Sequence, residues 1–458
     1  MLAGLVYLAF LLFIVIRLFR FSTSSAVDFI VAGRRLTLPA FTASLVTTWY
    51  GGILGVGEYT WQYGVSNWLV FGVPYYLYAA LFAVFLARRA RRSQMLTVPD
   101  MLDHHYGRPT ALFGAGTIFV MTAPAAYVLM LGVLLNFATG WPIWVGVVAG
   151  TALSISYVFR GGLRAIVATD MVQFILMFVG FAVLVGVCVT RFGGWEFLRD
   201  NLPAGHLQWD GGLGWQAIAV WYVIALSTLV EPAFYQRCFA AESEETAKNG
   251  IFWAIGFWIV FDFLTTTAGL YARALLPDLA NPVQAFPALA AHVLPSFWQG
   301  VFTVGMLATI MSTVDSYAFI CSVTLGRDLI ERWRTPRGEK LADEATLPAI
   351  RWSLLATAIV AIALALISGS VIQLWKTLGS VGTPILFLPM ALAQWGRVPS
   401  GQRAVRSMIF SGSTALVWLI LGNGSAWLGV EAIFPGLAVS ALILFWPGAG
   451  QKKSALPE

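Results

Sequence analysis

The sequence predicts an all-α membrane protein of thirteen transmembrane helices: an N-terminal anchor helix, a 5+5 inverted repeat whose first and sixth core helices are broken, and two C-terminal helices. Three observations lead there. Of 458 residues, 59% are hydrophobic and only 11% charged, with a mean hydropathy of +0.77, so too little polar surface remains to cover a soluble globule. A hydrocarbon core of about 30 Å takes roughly 20 helical residues, and apolar windows of that length recur thirteen times along the chain. Two of these windows, at corresponding places in the two halves, are interrupted by glycine or proline.

The windows fall near residues 2–20, 38–62, 67–87, 110–138, 141–158, 163–190, 214–234, 250–272, 298–325, 348–368, 370–395, 405–422 and 428–446. The first has no basic segment before it and no small-residue cleavage site, and Arg17 and Arg20 follow it, so it reads as a retained anchor. The second contains TTWYGGILGVGEY (47–59), where Gly51, Gly52, Gly55 and Gly57 make opening of the helix cheap, at about 1 kcal/mol per glycine. The fifth and sixth are joined by Gly161–Gly162, read as a turn. The seventh contains STLVEPAFYQR (227–237), where Pro232 removes a backbone hydrogen bond beside Glu231. Short helices on the outer surface are expected over 276–297, and Trp195 and Trp209 are expected as interfacial anchors. The expected divisions are 1–37 for anchor and loop, 38–396 for the core (repeats about 38–190 and 214–396), and 397–458 for the last two helices and tail.

The net charge of +6 follows from topology and calls for no nucleic-acid partner. With the N-terminus outside, Arg88, Arg89, Arg91, Arg92, Arg237, the cluster from Arg327 to Lys340, Lys452 and Lys453 share one side. Only Arg191, Arg199 and Arg273 clearly fall on the other, so that side is cytoplasmic, as is the C-terminus. Cys188, Cys238 and Cys321 are scattered without metal-ligand spacing and read as small buried hydrophobes. No phosphate-binding loop, zinc motif or paired nucleophile and base is present, so the chain does not read as an enzyme.

The ninth window raises the chemical question, because MSTVDSYAF (311–319) places polar groups where an unpartnered one is costly. At 100° per residue Thr309, Ser312, Thr313 and Ser316 share one face about 100° wide, and Asp315 projects some 60° to its side. Such hydroxyls, with carbonyls freed at a broken neighbouring helix, can replace the water shell of a hard cation such as Na⁺; alternatively each bonds back to its own i−4 carbonyl. Asp170 sits on the order of 12 Å inside its span and reads as a cation exit or second cation site, or as the partner of Arg164. Glu231 and Asp262 are further intramembrane acids that can receive a cationic group or a proton, or bond a neighbouring helix.

Five segments carry a resemblance: DFIVAGRRL (28–36), LTVPDMLDHHYG (96–107), GGLRAIVATDMVQ (161–173), YQRCFAAESEETAKNG (235–250) and MLATIMSTVDSYAFICSVTLGRDL (306–329). In this order and spacing they resemble the sodium/solute symporter family over nearly the whole chain, which implies the inverted-repeat fold of leucine-type amino-acid transporters. The resemblance implies a sodium site from the hydroxyls of Ser312 and Thr313, the position of Thr309, and the carbonyls of Leu45 and Thr48. It implies for Asp170 a part in sodium release or a second sodium site. At substrate positions the chain departs, with Thr47 where other members have an acid or amide and Gly52 where one has an amide. Trp49, Tyr50, Gly51, Glu231, Tyr235 and Gln236 complete the expected substrate lining.

The expectation is therefore a Na⁺-coupled importer of a small organic solute in the cytoplasmic membrane, working by alternating access. Its partners are solute and lipid bilayer, with Na⁺ as coupling ion, no transition metal and no organic cofactor, and a monomer or weak homo-oligomer as its state. The alternatives are proton coupling through Asp170, Glu231 and Asp262, or a solute sensor that moves nothing.

Overall fold

The computed structural model describes residues 25–446 apart from 337, 338, 340, 369, 370, 396 and 425, together with 452–453. The expected first span, 2–20, lies outside the described residues. Among the described residues nine helices are long and apolar enough to cross a membrane, from Trp68–Arg92 to Gly401–Leu421, and Ile433–Phe445 is a shorter apolar helix. The expected count of thirteen is not confirmed among the described residues, and two places bear on it. The chain over 38–63 is interrupted by a tight turn, and the windows at 141–158 and 163–190 form two helices that follow one another directly across a kink at Gly162, within Ile143–Phe192.

Gly161–Gly162 is the sharp kink at which these two helices meet, where the sequence places a turn. Gly162 takes φ +54°, ψ −144°, and a side chain there would strike the Phe29 carbonyl, so glycine serves both the backbone and the close approach.

Both expected interruptions are present. Leu38–Trp49 passes through a 3₁₀ turn, Tyr50–Gly52, into Ile53–Tyr63, so only the first two glycines mark the break; Gly55 and Gly57 remain helical. In the second, Trp215–Ile224 tightens into a 3₁₀ segment, Ala225–Val230, then Glu231 turns extended at φ −67°, ψ 115°. Pro232 restarts the helix Pro232–Ala240, where the first-turn N–H it lacks has no intrahelical partner to lose.

At the centre runs Ser296–Val323, prolonged by a π-helical stretch, Thr324–Glu331. In the span Ser296–Arg334, 89% of the most apolar window is buried inside the protein. It packs most extensively on Ile143–Phe192, and small residues such as Gly305 let the backbones approach.

The end of this central span is fastened to Val98–Tyr106. Thr97 accepts from the Asp100 N–H (3.4 Å) while Asp100 Oδ2 accepts from the Thr97 N–H (3.2 Å), a reciprocal helix cap. Asp100 Oδ1 accepts from Arg327 (2.9 Å) and Arg332 (2.5 Å), and Arg332 also donates to Asp103 (2.6 Å). Burial disfavours the charged carboxylate, but the two guanidiniums outweigh it and hold Asp100 at about 2. Because this lies below the ordinary 3.8, the contribution is complete above that value and lost as pH falls through about 2. Asp100→Asn is expected to cost roughly 2 kcal/mol at neutral pH and to flatten the acid side of the stability curve. Thermal unfolding from pH 5 to 2 checks this; parallel curves for both proteins would sink it.

Candidate functional site

Four hydroxyls were expected on one face of the central helix, and their partners divide them. Thr309 donates to its own i−4 carbonyl at Gly305 (2.7 Å). The others reach across to other helices. Thr313 donates to the Thr48 carbonyl (2.8 Å), at the end of the first half of the broken span, with the Thr47 carbonyl at 3.5 Å. Ser312 donates to Asp170 Oδ1 (2.6 Å), and Ser316 shares a hydrogen bond with the Thr48 hydroxyl (3.0 Å). All are buried, and Leu45 lies buried one turn before the break.

Asp170 therefore sits on the hydroxyl cluster itself, with Ser44 donating to its Oδ2 (2.5 Å). Its basic neighbour is Arg237, at 4.0 Å with both side chains 0% exposed; Arg164 pairs instead with Asp28. Arg237 corrects the sequence reading, which counted it only among the cations of the cytoplasmic side. The helix Pro232–Ala240 carries it inward, where it donates to Ser316 (2.6 Å), Thr48 (2.9 Å), Ser44 (3.2 Å) and Gln236 (2.9 Å). Asp315 likewise turns from the cluster and accepts from Ser154 and Tyr157 on the neighbouring helix.

Gly51 explains how the broken span comes this close. A Cβ there would overlap the Thr313 side chain, so the glycine lets the turn lie against the hydroxyl face. The resulting donors are all oxygens: the Thr48 carbonyl, the Ser312 and Thr313 hydroxyls and the Asp170 carboxylate, a set suited to a hard cation. Among the described residues no cluster of three His, Cys, Asp or Glu offers a transition-metal site.

A cavity of about 190 Å³ opens between the two breaks. Trp49, Tyr50 and Gly52 line it from the first break, Glu231 from the second, and Asp262 from Glu244–Leu275. Tyr50 donates to Asp262 (2.6 Å), and Tyr76 bonds the other oxygen. The other expected lining residues lie away from this cavity. Thr47 bonds back to Ala43 (3.0 Å), Gly51 abuts Thr313, Tyr235 donates to the Leu229 carbonyl (3.2 Å), and Gln236 is held by Arg237. Phe71, Tyr75, Trp221 and Tyr317 line the cavity and were missed, since an aromatic in an apolar span has no periodic or charge signal to separate it from packing.

The sodium:solute symporter family profile matches residues 29–409. The sodium/pantothenate symporter of Escherichia coli is 26% identical over 77% of this chain and 74% of its own length. The osmoregulated proline transporter of Bacillus subtilis is 25% identical over 92% of this chain and 88% of its own. The solved substrate-bound, outward-open state of a Na⁺-coupled sialic acid symporter shares the fold, with a TM-score of 0.81 over 98% of each chain at 16% identity. With two broken spans facing one another across a buried oxygen cluster, and a profile match over most of its length, the chain belongs to the sodium:solute symporter family.

Proposed function

We propose that the protein imports a small organic solute together with Na⁺ across the plasma membrane by alternating access. It is a transporter and not an enzyme, as its named relatives are. Na⁺ is held by the Ser312 and Thr313 hydroxyls, the Leu45 and Thr48 carbonyls and the position of Thr309, and Asp170 takes the ion on its way out. The core comprises the repeats 38–190 and 214–396, with the N-terminus outside and the C-terminus inside. Solute binds in the cavity between the breaks.

The observation that carries this reading is the Thr313 hydroxyl on the Thr48 carbonyl at 2.8 Å, beside Ser312 on Asp170 at 2.6 Å. These contacts join the central helix to the broken span and to the Asp170 helix, so an ion among them binds best in one relative arrangement of the three. Coupling is that difference in affinity between states. Each Na⁺ entering at 100 mV contributes about 2.3 kcal/mol to uphill solute movement.

Thermal unfolding in detergent, titrated with Na⁺ against K⁺ at constant ionic strength, tests it. Na⁺ alone is expected to raise Tm, by about 2.7 kcal/mol of stability at a hundredfold excess over Kd. Ser312→Ala/Thr313→Ala is expected to lose that response. Equal effects of Na⁺ and K⁺ would move the reading to proton coupling.

A further inference from the structure

The chemistry of the cavity wall narrows the solute. Among the described residues that line it are two carboxylates, Glu231 and Asp262, and no Lys, Arg or His. Seven aromatic residues are among the rest of the lining, with Trp49 edge-on to Tyr75 at 5.1 Å and Phe71 against Trp221 at 4.8 Å. Ring faces are electronegative, and with carboxylates behind them they attract an organic cation that has shed its water.

The start of the helix Pro232–Ala240 is one place at the cavity where a ligand carboxylate could meet a positive helix end. Glu231 already occupies it, accepting from the Ala233 N–H at 3.4 Å. Asp262 accepts from Tyr50 and Tyr76, which hold both its oxygens on the wall without supplying a cation. Glu231 has the weaker set of donors, one long backbone bond and the neighbouring Tyr317, and its charged neighbour Arg237 lies outside the cavity wall.

Building on the importer reading, we infer that the cavity takes a small net-cationic solute, an alkylammonium or quaternary ammonium compound without a carboxylate. Its charge rests against Glu231 and Asp262 and its alkyl groups against the Trp49 and Tyr75 rings. A zwitterion or anion sets its own carboxylate against two others in a site with no lining cation, and is excluded. The volume of about 190 Å³, below the roughly 300–1,000 Å³ of drug-sized sites, limits the solute to a small one.

The test is thermal unfolding of the full chain in detergent with Na⁺ fixed. The probes are choline, tetramethylammonium, the neutral isostere of choline with carbon in place of nitrogen, proline as zwitterion and pantothenate as anion. The two cations are expected to raise Tm, with the isostere at least tenfold weaker and proline and pantothenate without effect. Glu231→Gln is expected to weaken choline about tenfold and leave the isostere unmoved. Equal or larger shifts with the isostere, proline or pantothenate, or no shift with either cation, overturn the inference. Should Glu231→Gln fail to fold, the order of the probes on the natural chain decides. A Na⁺-specific shift without a cation shift overturns only the solute class. A cation shift in a protein indifferent to Na⁺ against K⁺ overturns the coupling and leaves the solute class standing.

Discussion

Arg237→Leu is expected to be among the most damaging single substitutions in the protein. The guanidinium lies 4.0 Å from Asp170, both side chains are 0% exposed, and it donates to Ser44, Thr48, Ser316 and Gln236. Removing one partner of a buried ion pair leaves the other charge uncompensated, at a cost of about 3–5 kcal/mol. Asp170→Asn removes the opposite charge and is expected to destabilise in the same way. The double variant is expected to lose less than the two singles combined, by at least about 1 kcal/mol, because neither charge is then stranded. Arg237→Lys is expected to rescue only partly, since an ammonium has three donors on one atom and cannot span partners on both broken spans and the central helix. Thermal unfolding of the four variants in detergent decides the point. Additive losses would mean that Arg237 and Asp170 contribute separately and are not coupled through the hydroxyl cluster.

The partnership was not legible beforehand, and the reason is specific. A hydropathy window ends the seventh span near residue 234, because Gln236 and Arg237 are polar, and a charge count then assigns Arg237 to the cytoplasmic side. The structure continues that helix to Ala240, since Pro232 starts a new helix and does not end an old one. A sequence signal for this existed: proline at the first position of a helix predicts several further helical residues, which draws Gln236 and Arg237 inward. The hydroxyl face, by contrast, was legible from angular spacing alone. What spacing could not separate is Thr309, which bonds back at 2.7 Å, from Ser312 and Thr313, which reach other helices, because that choice depends on what lies opposite. The two breaks were legible from glycine and proline. That only Tyr50–Gly52 tightens, while Gly55 and Gly57 stay helical, is decided by packing against the central helix.

That packing makes Gly51→Ala the second substitution with a large expected effect. The added methyl would overlap Cβ, Oγ1 and Cγ2 of Thr313, which is itself buried, so neither the turn nor the threonine can yield without moving a helix. Overpacking of this kind costs about 1–3 kcal/mol. The functional loss is expected to be larger than the stability loss, since any displacement carries the Thr313 hydroxyl off the Thr48 carbonyl, now 2.8 Å away. The variant is therefore expected to fold with a lowered Tm and to lose its Na⁺-specific stabilisation. A compensating change separates the two effects. Thr313→Gly in the same chain moves the missing side chain to the other helix and relieves the overlap, less about 1 kcal/mol for glycine within a helix. It also removes the hydroxyl, so stability is expected to recover in part while the Na⁺ response stays absent. Recovery of both would show that Gly51 matters for spacing alone and that Thr313 does not bind the ion. A Gly51→Ala protein that keeps its full Na⁺ response would place the ion elsewhere in the bundle, away from the contact between the turn and the hydroxyl face.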